Sequence, residues 1–123
     1  MVQGKIDMLN KNNRLKKRKE FSYIYKKGDS AASKYLILWA TPTKLDHVRF
    51  GFVVNKKVGK AHIRNLVKRR MRAIVRELLP QVKLNNYILV ARDNLAELSF
   101  EELKEQIVYI LRKQHYLEDQ QCL

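Results

Sequence analysis

The stretch from Ala61 to Leu79 constrains this chain most, because its pattern predicts one long helix with an apolar side and a cationic side. At about 100° per residue, five apolar side chains fall within one sector of about 80°. These side chains are Ile63, Val67, Met71, Ile74 and Leu78. Pro80 is expected to end the helix. A helix with one apolar face needs a partner layer, so this segment belongs to a folded domain.

A row of cations runs beside this apolar face. Arg64, Lys68 and Arg72 repeat at i, i+4 and i+8, and Asn65, Arg69 and Arg76 extend the row outward. Like charges at this spacing repel each other, and residues 56–76 contain no acid at all. The pattern favours an anionic partner on this face, with an ordinary solvated face as the alternative. The preceding basic loop, 55–60, contains Gly59 and resembles a phosphate cradle, although it lacks the P-loop pattern.

The charge of the whole chain points the same way. Its 123 residues hold 26 Lys and Arg against 12 Asp and Glu, a net charge of +14. Such an excess favours nucleic acid as the partner, with an anionic membrane surface as the rival. No run approaches the roughly 20 apolar residues of a membrane span. The single cysteine, Cys122, excludes an intrachain disulfide and a cysteine-based zinc site, and we expect a cytoplasmic protein.

The other segments predict an α+β domain. We expect helices over about 18–27 and 61–79 and from Ser99 onward, and strands over about 34–41, 47–55 and 86–92. Ser99 and Glu102 have the spacing of a capping box. This order suggests a two-layer α-β sandwich, with one sheet covered by helices. We place a single domain at 14–117, between a flexible basic arm at 1–13 and a C-terminal tail at 118–123.

Two motifs resemble those of the bacterial ribonuclease P protein subunit. One is Lys56-Lys57-Val58-Gly59-Lys60-Ala61 followed by Arg64-Asn65-Leu66-Val67-Lys68-Arg69. The other is Arg14-Leu15-Lys16-Lys17 with Phe21, Tyr25 and Gly28. The resemblance extends from about Arg14 to Lys113. It has one departure, because Leu66 stands where the family's Arg-Asn-Arg pattern has its second arginine. Arg70, one turn further on the same side, is a candidate substitute.

The resemblance implies a fold and an activity. The implied fold is like domain 2 of ribosomal protein S5, with a left-handed βαβ crossover that general handedness rules would not predict. The implied activity is removal of the 5′ leader from precursor tRNA. The resemblance assigns catalysis to the RNA subunit, using Mg²⁺ bound mainly by that RNA and the substrate, and implies no protein catalytic residues. The implied partners are the catalytic RNA and precursor tRNA, with no membrane and no DNA.

The resemblance also assigns residues to two surfaces. For the leader cleft it implies Phe21, Tyr25, Ile37, Trp39, Lys56 and Lys57. For phosphates of the catalytic RNA it implies Arg14, Lys17, Lys60, Arg64, Asn65, Lys68, Arg69 and Arg72. Without the resemblance, Phe21 and Tyr25 would be read equally well as core packing, and a tryptophan on a strand, such as Trp39, is more often a core residue.

Two other functions stay open. A ribosomal-type RNA-binding protein without a catalytic role would share the same charge pattern. A DNA-binding protein is the weakest alternative, because the basic helix has few base-reading side chains and no dimer element is evident. The three histidines, His47, His62 and His115, have no metal-ligand spacing, and we assign no metal site and no catalytic set.

Overall fold

The computed structural model describes residues 9–118, which form three α-helices and four strands. The α-helices are α1 (Arg18–Lys27), α2 (Ala61–Leu78) and α3 (Phe100–Lys113). The strands are β1 (Asp29–Ala32), β2 (Leu36–Thr41), β3 (Arg49–Val54) and β4 (Asn86–Ala91). All six predicted elements therefore begin and end within two residues of their expected bounds, and the largest differences are the starts of β2 and β3, each two residues later than expected.

One four-stranded sheet has the order β1-β2-β4-β3. β3 and β4 are parallel neighbours joined by α2, and the other two pairs are antiparallel. The predicted α+β class is confirmed, and the parallel β3–α2–β4 unit is the place where the implied crossover would lie. β1 was missed because its sequence, Asp-Ser-Ala-Ala, has no apolar alternation and its residues are mostly exposed at the sheet edge.

The main core lies between one face of the sheet and helices α2 and α3. Leu36, Leu38 and Ala40 of β2 alternate into it, as the period-two pattern predicted. The predicted apolar face of α2 is confirmed, with Ile63 only partly buried. Val75 is an additional buried residue of that helix. α1 packs on the opposite face of the sheet, which we call the α1 face.

The start of α3 confirms the predicted capping box. The Glu102 N–H donates to Ser99 Oγ at 3.1 Å, and the Ser99 N–H donates to Glu102 Oε1 at 2.9 Å. Two N–H groups that the helix cannot satisfy are paired in this way.

The folded domain begins earlier than the sequence suggested. Leu9 is buried in the main core, and Lys11–Asn13 form a 3₁₀ turn. The Asn13 side chain donates to the Val48 carbonyl at 2.7 Å, and the Leu15 N–H donates to the Phe50 carbonyl at 2.9 Å. The segment 9–13 thus packs on the edge of β3 rather than extending away as an arm. The rest of the predicted arm, 1–8, and residues 119–123 of the predicted tail lie outside the described residues.

Between residues 9 and 118, no helix is both long enough and apolar enough to cross a membrane.

Candidate nucleic-acid interface

Strand register organises the α1 face into three rows that cross β2, β4 and β3. The first row holds Thr41, Asn86 and Arg49, the second Trp39, Ile88 and Gly51, and the third Ile37, Val90 and Val53. Within each row the residues are direct neighbours across the strands. Side chains can therefore form one continuous surface only where they lie in the same row or in adjacent rows.

α1 crosses the strands and covers the second row. The Phe21 ring lies against Gly51, where a Cβ atom would be 2.5 Å from Phe21 Cζ. Ile24 is buried in one cluster with Ile88. The Tyr25 ring meets the Trp39 ring edge-on at a centroid distance of 5.2 Å. The predicted aromatic residues therefore sit together, as a wall built by α1 on the second row.

The third row remains half-buried and forms the floor of a groove beside this wall. Ile37, Val90 and Val53 give that floor an apolar surface. At the strand ends the floor opens into a pocket of about 480 Å³. Its polar and charged lining residues are Lys34, Asn55, Arg92, Asp93 and Asn94. We call the third row, its aromatic wall and this pocket the open groove.

The exposure of Tyr25 suits an aromatic surface that can accept a ligand. Its side chain is 39% exposed although the ring packs on Trp39. Burial of the remaining part raises the pKa of the Tyr25 hydroxyl above its usual value. The hydroxyl is therefore neutral near pH 7, and the ring presents an uncharged face.

Lys56 and Lys57 lie just beyond the end of β3, in a 3₁₀ turn that spans Lys56–Val58. Both lysines are exposed, whereas Val58 is buried in the main core and anchors the turn. Gly59 then packs against Ile63, whose Cγ2 would be 3.0 Å from a Cβ atom at that glycine. The two cations are thereby held at the same end of the sheet as the pocket of the open groove.

The predicted cationic row of α2 begins next to this turn. The Arg64 Nε donates to the Gly59 carbonyl at 3.1 Å, which ties the row to the loop. Lys60, Asn65 and Arg69 are exposed, and Lys68 is half-buried. Arg72 is also half-buried, and both it and Arg69 have interaction partners within the protein.

Arg14 and Lys17 lie away from that row, at the opposite end of β3. The Arg14 Nε donates to the Leu9 carbonyl at 3.0 Å, and Lys17 is exposed at the start of α1. Nearby, Arg49 donates to Glu20 at 2.6 Å and to Asn86 at 3.1 Å. The structure therefore separates the residues predicted for the catalytic RNA into two groups.

Leu66, the departure from the family pattern, is 38% exposed on α2. It lines a notch of about 170 Å³ together with Arg69, Arg70, Ala73 and Phe100. Arg70 is therefore close to the position that the missing arginine would occupy.

Sequence reasoning missed several residues of the open groove, among them Lys34, Val53, Val90 and Arg92. They come from three separate segments, and only the pairing register brings these segments together beside Ile37. The only local signal was that Arg92 lies at the end of a predicted strand.

Among residues 9–118, no three His, Cys, Asp or Glu side chains gather in a cluster that could hold a metal ion. His47 contacts only its neighbour Asp46 among these groups, with 3.0 Å between Nδ1 and Oδ1.

The fold and this surface define a single-domain α+β protein with a groove and a basic surface suited to a single-stranded polyanion. A sequence profile of the family Ribonuclease P matches residues 9–115. The chain belongs to this family, whose members are the protein subunits of the tRNA-processing enzyme ribonuclease P.

Individual relatives agree with this assignment. The ribonuclease P protein component of Syntrophomonas wolfei is 40% identical over 107 residues, covering 86% of this chain and 90% of the relative. That of Bacillus velezensis is 38% identical, with 85% and 91% covered. The Staphylococcus aureus RNase P protein superposes with a TM-score of 0.82 at 28% identity, with 86% and 98% covered. The Thermotoga maritima protein gives 0.75 at 30% identity, with 81% and 96% covered.

Proposed function

We propose that this protein binds the catalytic RNA of ribonuclease P and the single-stranded 5′ leader of precursor tRNA, and thereby assists removal of the leader. The observation that carries the proposal is the open groove, which combines an apolar floor, an aromatic wall and flanking cations. Single-stranded RNA needs these features, because its bases are unstacked and its backbone is anionic.

The leader would bind by stacking and by charge. Phe21, Tyr25 and Trp39 supply aromatic surface, on which bases stack with about 1–3 kcal/mol each and little sequence preference. Lys56 and Lys57 would hold leader phosphates at the end of the groove. Ile37 would contribute to the apolar floor under the bases.

The catalytic RNA would contact the cationic row of α2. Phosphates are held there by Lys60, Arg64, Asn65, Lys68, Arg69 and Arg72 in this proposal, and Arg14 and Lys17 add contacts from the N-terminal segment. Arg70 would supply the charge that Leu66 lacks, because the two side chains share one notch.

Hydrolysis itself is assigned to the RNA subunit, with Mg²⁺ held mainly by that RNA and by the substrate. The protein's contribution is to hold two polyanions side by side and to offset their repulsion, which favours metal binding at the cleavage point. In this proposal the protein works with its RNA partner in the cytoplasm.

The first experiment measures cleavage of precursor tRNA by a bacterial catalytic RNA at low Mg²⁺, with and without the protein. Stimulation at the mature 5′ end supports the proposal. If the protein binds RNA tightly but gives no stimulation with the RNA from its own source, a ribosomal-type role is favoured instead.

The second experiment tests the groove with precursors whose leaders increase in length. Affinity should rise with leader length for the wild type and rise less for a Lys56→Ala/Lys57→Ala variant. Lys44→Ala/Lys83→Ala removes the same charge from exposed sites outside the groove and should keep the full dependence on length. Equal behaviour of the two variants would contradict the assignment.

A further inference from the structure

A second basic site lies on the same face of the sheet, at the opposite end of β3 from Lys56 and Lys57. It is a pocket of about 260 Å³ between the N-terminal segment, the start of α1 and the loop that precedes β3. Its cationic lining residues are Lys11, Arg14, Lys16, Lys17 and Arg49. We call it the basic pocket.

The charge of the basic pocket is concentrated and only slightly compensated. Five cationic side chains share the pocket with one carboxylate, Glu20, so its lysine, arginine and glutamate side chains sum to a net charge of +4. The Glu20 carboxylate already accepts hydrogen bonds from Arg49 at 2.6 Å and from the backbone N–H of Lys17 at 3.2 Å. Asp46, the nearest further acid on the loop, pairs with His47. The N-terminus of α1 adds positive potential of its own.

This charge arrangement points to a bound anion. Cations gathered in one pocket repel each other, and that repulsion is relieved when a multiply hydrogen-bonded anion sits between them. The side chains of Lys11 and Lys16 are exposed, and neither makes a hydrogen bond or ion pair with another residue between 9 and 118. A phosphate group matches the charge and is small enough for the pocket.

The leader strand in the open groove does not reach this pocket directly. Arg49, Gly51 and Val53 point to the same face of β3 in succession, and Phe21 covers Gly51 between the other two. Arg49 and Val54 mark the ends of β3, about 17 Å apart at 3.3 Å per residue. α1 therefore stands between the two sites, and a strand in one would have to pass around the helix to enter the other.

We infer that the basic pocket binds a backbone phosphate of the catalytic RNA, at a site separate from the open groove. This inference rests on the proposed function, since it assumes that the protein has an RNA partner. It assigns new contacts to Lys11, Lys16 and Arg49, and it gives Arg14 and Lys17 a common ligand.

The test compares Lys11→Ala/Lys16→Ala with Lys44→Ala/Lys83→Ala, which removes two exposed lysines outside the pocket. Affinity for the catalytic RNA alone is measured as a function of salt concentration. The pocket variant should reduce the slope of log K against log salt by about 1, the change expected when one phosphate contact is lost. The control should leave the slope close to that of the wild type, and equal slopes for the two variants would overturn the inference.

Two further measurements identify the source of the phosphate and separate this inference from the proposed function. If the pocket variant loses affinity only for precursors with a leader, the phosphate belongs to the leader and the assignment is wrong. Inorganic phosphate, titrated into the free protein, should shift the NMR signals of the His47 ring in a saturable way in the wild type and control but not in the pocket variant. That titration shows whether the basic pocket binds phosphate even if the wild type fails to bind the catalytic RNA. Failure to bind the catalytic RNA would overturn the proposed function alone.

Discussion

Phe21 of α1 lies directly on Gly51 of β3, so closely that a Cβ atom at the glycine would be 2.5 Å from Cζ and 2.6 Å from Cε2 of the ring. The absence of a side chain at Gly51 lets α1 approach the sheet. The contact also fixes the edge of the aromatic wall, and it separates the open groove from the basic pocket.

Gly51→Ala should push the Phe21 ring outward and lower the free energy of unfolding by about 1–2 kcal/mol through overpacking. Affinity for precursor tRNA should fall as well, because the wall of the groove moves. Thermal unfolding and leader-dependent binding measure the two effects. The double variant Gly51→Ala/Phe21→Leu should be less destabilised than the sum of the single variants, since leucine leaves room for the added methyl group. Additive losses would mean that the methyl group meets no resistance from the ring.

Tyr25→Ala should weaken binding of leader-bearing precursor but leave mature tRNA unaffected, since it removes one stacking surface. The expected loss is about fivefold or more, because stacking contributes about 1–3 kcal/mol per base. Tyr25→Phe should retain affinity, as it keeps the ring. Tyr23→Ala is the matched control, because Tyr23 lies on the same helix and is 57% exposed but does not contact Trp39. Equal losses for Tyr23→Ala and Tyr25→Ala would refute a specific role of the wall.

Leu66→Arg restores the cation that the family pattern has at this position and should strengthen binding to the catalytic RNA by about threefold to tenfold. Leu84→Arg is a suitable control, since Leu84 is 50% exposed and lies away from α2. Leu84→Arg adds the same charge as Leu66→Arg, but at a site outside α2. A gain of equal size in both variants would mean that net charge alone is responsible, and no gain in Leu66→Arg would support compensation by Arg70.

The ion pair of Glu20 and Arg49 should make stability depend on pH. Burial raises the pKa of Glu20, but the hydrogen bonds from Arg49 and from the Lys17 N–H outweigh it, and the pKa lies below its ordinary value of 4.5. A carboxylate of this kind stabilises the fold above its unfolded pKa, and the contribution is lost as pH falls through the folded pKa. At pH 7 the free energy of unfolding of Glu20→Gln should therefore be about 1 kcal/mol lower than that of the wild type, since the ion pair is only partly exposed.

The difference between wild type and Glu20→Gln should shrink as the pH falls below the ordinary carboxyl pKa of 4.5 and through the lowered pKa of Glu20 in the folded state. Denaturant unfolding at pH 7 and pH 3 measures this difference in the free energy of unfolding. Glu105→Gln serves as the control, because Glu105 is an exposed carboxylate of α3. A difference of the same size at both pH values would show that charge on Glu20 is not the cause.

Local pattern was enough to predict most of the fold. The 3.6-residue period located the core face of α2, and the alternation of Leu36, Leu38 and Ala40 located that of β2. The spacing of Ser99 and Glu102 predicted the start of α3. β1 and the packing of Leu9 were missed, because neither has a periodic signal and both depend on contacts with distant segments.

The candidate site was predicted less completely. Phe21, Tyr25, Ile37 and Trp39 were assigned through resemblance, and the structure brings them together on the α1 face. Val53, Val90 and the basic pocket were not predicted.

The amino-acid sequence by itself determined which side of each helix and strand is apolar, where the helices end, and that the chain carries enough positive charge to need a polyanion. The first two properties depend on neighbours within a few residues, and the third depends on composition alone. Only the tertiary structure decided that Ile37, Val90 and Val53 form one row, and that Phe21 divides the α1 face into an open groove and a basic pocket. The physical reason is that pairing register and helix placement are set by contacts between residues far apart in the chain, which no local period encodes.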